Sequence, residues 1–123
     1  MIYTVTLNPS LDYIMHLNHL EVSGVNRSRK EEVYPGGKGI NVSIVLNNLR
    51  IPNKALGFIA GFTGNEIDRI MKRLGSNTDF IMLDQGISRV NVKLEAEKET
   101  EINGMGPEEL FPALYIPEYF PLL

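Results

Sequence analysis

The order in which short β-forming segments alternate with helical segments limits the folds open to this chain. Residues 2–6, 55–60 and 79–83 have the composition of buried strands, whereas apolar residues recur at helical spacing in residues 40–49 and 67–74. Strands that alternate with helices are typical of a parallel sheet covered by helices. We therefore predict an α/β fold.

A second group of segments has a period of two residues. Apolar and polar residues alternate in residues 88–95, residues 99–102 follow as a hairpin partner, and residues 13–17 have strand composition. The polar residues 23–32 indicate an exposed loop or an edge strand. We expect antiparallel strands outside the main sheet.

Turn signals set the expected ends of the helices. Pro52 is expected to stop the first helix, because proline cannot continue a helix. The segment Gly61–Gly64 is predicted to be a turn that precedes the second helix. Gly75 is expected near the end of that second helix.

Three glycines and a lysine, Pro-Gly-Gly-Lys-Gly-Ile-Asn-Val at residues 35–42, precede the first helical pattern. Glycines let a backbone approach a ligand closely, and a helix that begins near Gly39 would direct free N–H groups at an anion. Lys38 adds a charge suited to phosphate. A tight turn with a solvated lysine explains the same spacing, so both interpretations stay open at this point. The segment does not match the phosphate-binding P-loop, which has Ser or Thr after its lysine.

Composition excludes several classes of protein. The chain has 123 residues, enough for one domain, and 43% of them are hydrophobic. Its net charge of −3 makes a nucleic-acid partner unexpected. It has no cysteine, which excludes disulfides and thiolate metal sites and fits a cytoplasmic protein. No segment is apolar enough for a signal peptide or a membrane span, so no membrane partner is expected.

Four segments together resemble one enzyme family. They are Thr4–Tyr13 (TVTLNPSLDY), Pro35–Ser43 (PGGKGINVS), Ser88–Leu94 (SRVNVKL) and Thr100–Glu108 (TEINGMGPE). Their order and spacing resemble the N-terminal part of the pfkB (ribokinase-like) carbohydrate kinases, in the branch of the 1-phosphofructokinases and tagatose-6-phosphate kinases. The resemblance covers residues 1 to about 109.

The resemblance implies a three-layer α/β/α core with a small β-sheet lid, whose strands would lie near residues 12–17, 30–34 and 88–102. It implies transfer of the ATP γ-phosphate to fructose 1-phosphate, which gives fructose 1,6-bisphosphate; tagatose 6-phosphate is the alternative substrate. ATP and Mg²⁺ would serve the full-length family member. A homodimer formed through the lid is the candidate assembly, and Arg27 would contact phosphate across that lid or from a partner subunit.

The same resemblance assigns substrate-binding residues. Asp12 would accept hydrogen bonds from sugar hydroxyls, for which a carboxylate is a good acceptor. Lys38 and Arg89 would hold the phosphate that the substrate already carries. From the local sequence alone, Asp12 could equally cap a turn and Arg89 could be an exposed strand charge. The further expected contacts are Gly36, Gly37, Asn41, Arg27, Glu101 and Asn103. His16 and His19 are expected to be lid or surface residues, and no metal site is expected.

The last residues depart from the family pattern. Residues 110–123 form a tail with three prolines and several aromatic residues, which we interpret as the result of a truncation or a frameshift. The family's catalytic base lies in a Gly-Ala-Gly-Asp motif in its C-terminal half, and this sequence contains no such motif. We therefore expect a chain that lacks catalysis and binds no ATP or Mg²⁺ tightly by itself; a non-catalytic sugar-phosphate-binding fragment is the alternative function.

Overall fold

The computed structural model describes residues 1–110, which form two sheets and two α-helices. The strands are β1 (Ile2–Thr6), β2 (Ser10–His16), β3 (Lys30–Gly36), β4 (Asn53–Ala60), β5 (Thr78–Leu83), β6 (Arg89–Glu95) and β7 (Glu99–Asn103). The helices are α1 (Lys38–Asn48) and α2 (Gly61–Arg73), and a short 3₁₀ turn covers Glu108–Leu110. The predicted tail, apart from Leu110, lies outside the described residues.

The first sheet is parallel, with the strand order β1-β4-β5. Both helices pack on one of its faces, where Ile40 of α1, Ala55 of β4, and Ile67 and Met71 of α2 form the buried core. The side chains of Ile40, Ile67 and Met71 are fully buried. The α/β fold predicted from the alternation of segments is confirmed.

The opposite face of this sheet is not covered by residues 1–110. Tyr3 and Val5 of β1 are each 59% exposed, and Ile81 of β5 is 58% exposed. Parallel sheets in proteins are normally covered on both faces. The described residues therefore supply the sheet and the helical layer on one side of it.

The second sheet has four strands in the order β3-β2-β6-β7. β2 pairs antiparallel with β3 and parallel with β6, and β6 pairs antiparallel with β7. Its strands include the segments in which lid strands were expected, and the polar residues 30–32 begin its edge strand β3. We call it the lid sheet.

The prediction of a turn at Gly61–Gly64 is wrong, because these residues form the first turn of α2. Contacts with the loop before β6 fix this turn. The backbone N–H of Ala60 donates to Ser88 Oγ at 3.0 Å, and Thr63 Oγ1 donates to the Ser88 carbonyl at 2.7 Å. Long-range hydrogen bonds therefore override the local turn signal. α1 ends at Asn48, ahead of Pro52, and Arg50 turns the chain with φ 59°.

His16 joins three strands of the lid sheet. Its Nε2 lies 2.6 Å from Glu32 Oε1 on β3, and its Nδ1 lies 3.0 Å from Glu95 Oε2 on β6. Both ring nitrogens can donate to these carboxylates only in the imidazolium form. The expectation that His16 is a lid residue is confirmed.

No helix within residues 1–110 is long and apolar enough to cross a membrane.

Acid is expected to loosen the lid sheet before the parallel sheet. Hydrogen bonds from the hydroxyl of Tyr34 and from His16 hold the pKa of Glu32 below its ordinary value of 4.5. A carboxyl group with a lowered folded-state pKa stabilises the fold at neutral pH, and that stability is lost as the pH falls through the lowered pKa. Hydrogen exchange, corrected for intrinsic rates, should show β2 and β3 losing protection as the pH falls below the ordinary carboxyl pKa of 4.5. Glu32→Gln should reduce the change, and equal loss of protection in β4 would contradict the prediction.

Candidate functional site

Residue pairing in the lid sheet brings five of the predicted site residues to one face. Asp12 pairs with Asn91, which pairs with Asn103. In the neighbouring rows, Ser10 pairs with both Gly36 and Arg89, and Lys93 pairs with Glu101. Because side chains directly opposite one another share a face, these pairs define one polar face of the sheet. The predicted residues on it are Asp12, Gly36, Arg89, Glu101 and Asn103.

The alternate residues form the other face of the lid sheet, which is mainly apolar. Leu11, at one end of this face, packs against the core of the α/β part. Ile102, near the far edge, is 60% exposed. This face carries Leu11, Tyr13, Met15, Val33, Val90, Val92, Leu94 and Ile102.

Asp12 is the least exposed carboxylate of the polar face, with 14% of its side chain exposed. Ser10 Oγ donates to Asp12 Oδ1 at 2.7 Å, and Lys93 Nζ lies 3.5 Å from Asp12 Oδ2. A carboxylate has about four acceptor sites, so Asp12 keeps acceptor capacity beyond these contacts. It is positioned to receive hydrogen bonds from a polyhydroxylated ligand.

Gly36 is required by the position of Asp12. A Cβ atom at this residue would lie 2.5 Å from Asp12 Oδ2 and 2.5 Å from Ser10 Oγ. Any side chain at residue 36 would push the carboxylate away. The predicted glycine therefore contributes to the site by leaving room for Asp12.

The N-terminus of α1 begins directly after Gly36. Gly37 is the N-cap residue with φ 125°, a conformation that favours glycine, and no side chain caps the first turn. Lys38 and Asn41 are exposed on this turn, which contains no acidic residue. Thr6 Oγ1 is buried beneath the same turn, close to Gly39, without a hydrogen-bond partner among residues 1–110. Uncapped N–H groups and a lysine suit an anion.

Arg89 is held at the start of β6 by the chain that leaves β1. Its Nε donates to the Asn8 carbonyl at 3.0 Å, and the Asn8 side-chain amide donates to the Met105 carbonyl at 3.0 Å. Asn8 therefore ties Arg89 to the loop after β7. Arg89, Gly104 and other residues of this loop border a cavity of about 500 Å³. This volume is typical of small-ligand pockets.

Arg27 is not brought to the other predicted residues. It is exposed in the loop between β2 and β3, beyond the end of the sheet where Lys30 pairs with His16. Asp12 and His16 are four residues apart on β2, which corresponds to about 13 Å along a strand. A contact between Arg27 and a ligand at Asp12 of the same chain is not supported by this geometry.

The histidines and carboxylates do not form a metal site within residues 1–110. No group of three or more suitable side chains is arranged to hold an ion in this part of the chain. His19 is 70% exposed and pairs with Glu97 at 2.9 Å. The donor set of the described residues therefore does not fit Mg²⁺, and no step is assigned to an ion held here.

Several contributing residues were not predicted from the sequence. Ser10 orients Asp12, Asn8 holds Arg89, and Lys93 reaches Asp12 from the next strand. Lys93 falls in the segment SRVNVKL at alternate positions from Arg89, so the two-residue period could have placed it on the same face. Ser10 and Asn8 both lie in the segment TVTLNPSLDY, but the sequence assigned no role to either; the Asn8 carbonyl accepts from Arg89, which is 81 residues away.

A largely buried carboxylate and an arginine lie on the polar face of the lid sheet, and an uncapped helix N-terminus lies beside it. The family model for the pfkB family carbohydrate kinases matches residues 5–112. The chain belongs to this family.

Individual relatives agree with that assignment. The chain is 52% identical over 107 residues to the 1-phosphofructokinase of Bacillus subtilis and 39% identical over 107 residues to the D-tagatose-1-phosphate kinase of Bacillus licheniformis. Both alignments cover 87% of this chain and 35% of the relative, so the chain spans about a third of the length of these relatives.

A solved structure supports the same assignment. The structure of a Staphylococcus aureus protein assigned as a phosphofructokinase is 44% identical with a TM-score of 0.81, and the match covers 93% of this chain and 38% of that one. The expected ribokinase-like α/β fold is confirmed.

Proposed function

We propose that this chain provides the sugar-phosphate-binding part of an ATP-dependent kinase that converts fructose 1-phosphate to fructose 1,6-bisphosphate. The observation that carries the proposal is the placement of Asp12 beside Gly36, on the same face as Arg89 and next to the N-terminus of α1. This arrangement offers acceptors to hydroxyl groups and positive charge to a phosphate on one side of the lid sheet.

Each group has a distinct task in the proposal. Asp12 accepts hydrogen bonds from the sugar hydroxyls, while Arg89 and Lys38 hold the existing phosphate through charge-assisted hydrogen bonds. Gly37 presents the free N–H groups of α1, and Asn41 offers a donor and an acceptor to a hydroxyl. Holding the sugar in one orientation is the contribution that positioning makes to phosphoryl transfer. The remaining proposed contacts are Glu101 and Asn103.

ATP supplies the phosphoryl group and Mg²⁺ neutralises its charge when they are bound to the whole kinase. The described residues do not fit the ion, so we propose that the nucleotide and the ion are held elsewhere in the complete enzyme. The Gly-Ala-Gly-Asp motif is absent from this sequence, and we propose that the 123-residue chain binds substrate without turnover.

A tagatose phosphate is the second candidate substrate. The relative from Bacillus licheniformis named D-tagatose-1-phosphate kinase favours it, while the higher identity to a 1-phosphofructokinase favours fructose 1-phosphate. Tagatose 6-phosphate, implied by the sequence resemblance, is the third ligand to be compared.

We also propose that two copies associate through the apolar face of the lid sheet. Val33 and Ile102 of this face are 38% and 60% exposed. Burial of such apolar residues against a second copy is favourable. Arg27, remote from Asp12 of its own chain, would then be free to reach a partner's ligand.

A chain without cysteine fits the reducing cytoplasm, where we place the protein.

The test combines binding with turnover. Calorimetric titration of the purified chain should show binding of fructose 1-phosphate, weaker binding of tagatose 1-phosphate and tagatose 6-phosphate, and weaker binding still of unphosphorylated fructose. ADP release with magnesium-ATP and fructose 1-phosphate should not exceed a protein-free blank. Equal affinity for fructose and fructose 1-phosphate would contradict the proposed phosphate contacts. Turnover that survives repurification would show that a carboxylate of this chain acts as the base.

A further inference from the structure

Lys93 is the cation nearest to Asp12. It lies on β6 directly opposite Glu101 of β7 and diagonally across from Asp12 of β2. Its Nζ is 3.5 Å from Asp12 Oδ2 and 3.7 Å from Glu101 Oε1. Charge-assisted N–H···O hydrogen bonds are typically about 2.7–2.9 Å long, so both contacts are electrostatic but too long for good hydrogen bonds.

The donors of Lys93 therefore remain available on the polar face. Its side chain is only 37% exposed. Lys72 on α2 shows the contrast, because its ammonium donates to Asp68 at 2.8 Å and 63% of its side chain is exposed. A partly desolvated ammonium beside the least exposed carboxylate of the polar face is suited to donate to an atom that also contacts Asp12.

The local charge decides which kind of ligand atom Lys93 and Asp12 can both contact. Lys93 lies between two carboxylates, so the three groups carry a net charge of about −1 when all are ionised. A phosphate would be repelled by the carboxylates, whereas a neutral hydroxyl can accept from Lys93 and donate to Asp12. Arg89 lies two residues before Asn91 and on the same face of the sheet. It is paired with Ser10 and not with a carboxylate, so it suits the phosphate instead.

We infer that Lys93 determines sugar specificity by donating a hydrogen bond to the same sugar hydroxyl that donates to Asp12. The inference rests on the proposed function, since it requires a ketohexose phosphate at this face. It adds a donor beside the acceptor Asp12, and such a pair recognises a hydroxyl group but not a hydrogen at the same carbon.

Lys93→Met tests the inference, because methionine keeps an unbranched apolar stem and removes the charge and the donors. Calorimetry should show affinity for fructose 1-phosphate lowered by about 10- to 100-fold, which is the usual worth of a hydrogen bond to a charged group. Affinity for inorganic phosphate should be unchanged. A parallel loss for both ligands, or no loss for either, would overturn the inference. Lys98→Met in the exposed turn between β6 and β7 is the matched control.

Deoxy sugars separate direct contact from an indirect effect through Asp12. In a series of fructose 1-phosphates that each lack one hydroxyl, one member should bind the native chain and the Lys93→Met variant equally, because the hydroxyl contacted by Lys93 is gone. If every member still binds the variant more weakly, Lys93 does not contact the sugar and the inference is overturned. If the native chain binds inorganic phosphate but not fructose 1-phosphate, the proposed function fails, and the inference fails with it.

Discussion

Asp12→Asn is expected to lower the affinity for fructose 1-phosphate by about 100-fold, because the neutral amide offers one acceptor oxygen where the carboxylate offers two. The amide nitrogen would also direct donors towards Ser10 or Lys93, both of which are donors themselves. Calorimetric titration of the native chain and the variant measures the change. The fold should be retained, since the substitution keeps the size of a side chain on the polar face of the lid sheet.

Asp79→Asn is the matched control for this prediction. Asp79 is exposed on β5, on the parallel sheet rather than the lid sheet, and the same chemical change should leave affinity unchanged. Thermal unfolding of both variants should resemble that of the native chain. Unchanged affinity in Asp12→Asn would remove Asp12 from the site, and equal losses in both variants would show that the loss is not specific to Asp12.

Ile67→Ala is expected to lower the free energy of unfolding by about 2–5 kcal/mol, because it removes buried methyl and methylene groups and leaves a cavity. Ile67 is 0% exposed and belongs to the buried core cluster that also contains Ile40 of α1 and Met71 of α2. A loss of this size is a large part of the stability of an ordinary domain, so the midpoint of urea unfolding should fall clearly. Urea unfolding followed by circular dichroism measures it.

Ile81→Ala provides the comparison at the uncovered face of the same sheet. Ile81 is 58% exposed, so the same truncation there should change the free energy of unfolding by no more than about 0.5 kcal/mol. If Ile81→Ala destabilises the chain as much as Ile67→Ala, the face that carries Ile81 is buried in solution, and a second copy or another segment covers it.

The fold class and most elements could be predicted from the sequence, because they depend on local periodicity. The alternation at residues 88–95 identified β6, and the apolar run at residues 55–60 identified β4. The first turn of α2 could not be predicted, since the hydrogen bonds that fix it come from Ser88, which is 25 residues from Thr63.

The site was only partly predictable for the same reason. Resemblance to a family predicted Asp12 and Arg89 as site residues, but their place on one face follows from pairing between β2 and β6, which are far apart in the chain. Ser10 acts through its hydroxyl and Asn8 through its backbone carbonyl, and the sequence pattern predicts neither contact. Arg27 lies in a loop remote from Asp12 of its own chain, so its phosphate contact stays a prediction for a partner subunit.

The strict pairing of β2 with two neighbours makes this strand intolerant of changes in length. A single-residue insertion or deletion between Ser10 and His16 would exchange its two faces beyond that point. A deletion ahead of Asp12 would direct an aliphatic or aromatic side chain at the ligand, and it would place the carboxylate on the apolar face. The connecting loop between residues 17 and 29 has no such constraint. We therefore expect natural and laboratory variants of this chain to differ in length in that loop, and to keep the number of residues in β2 constant.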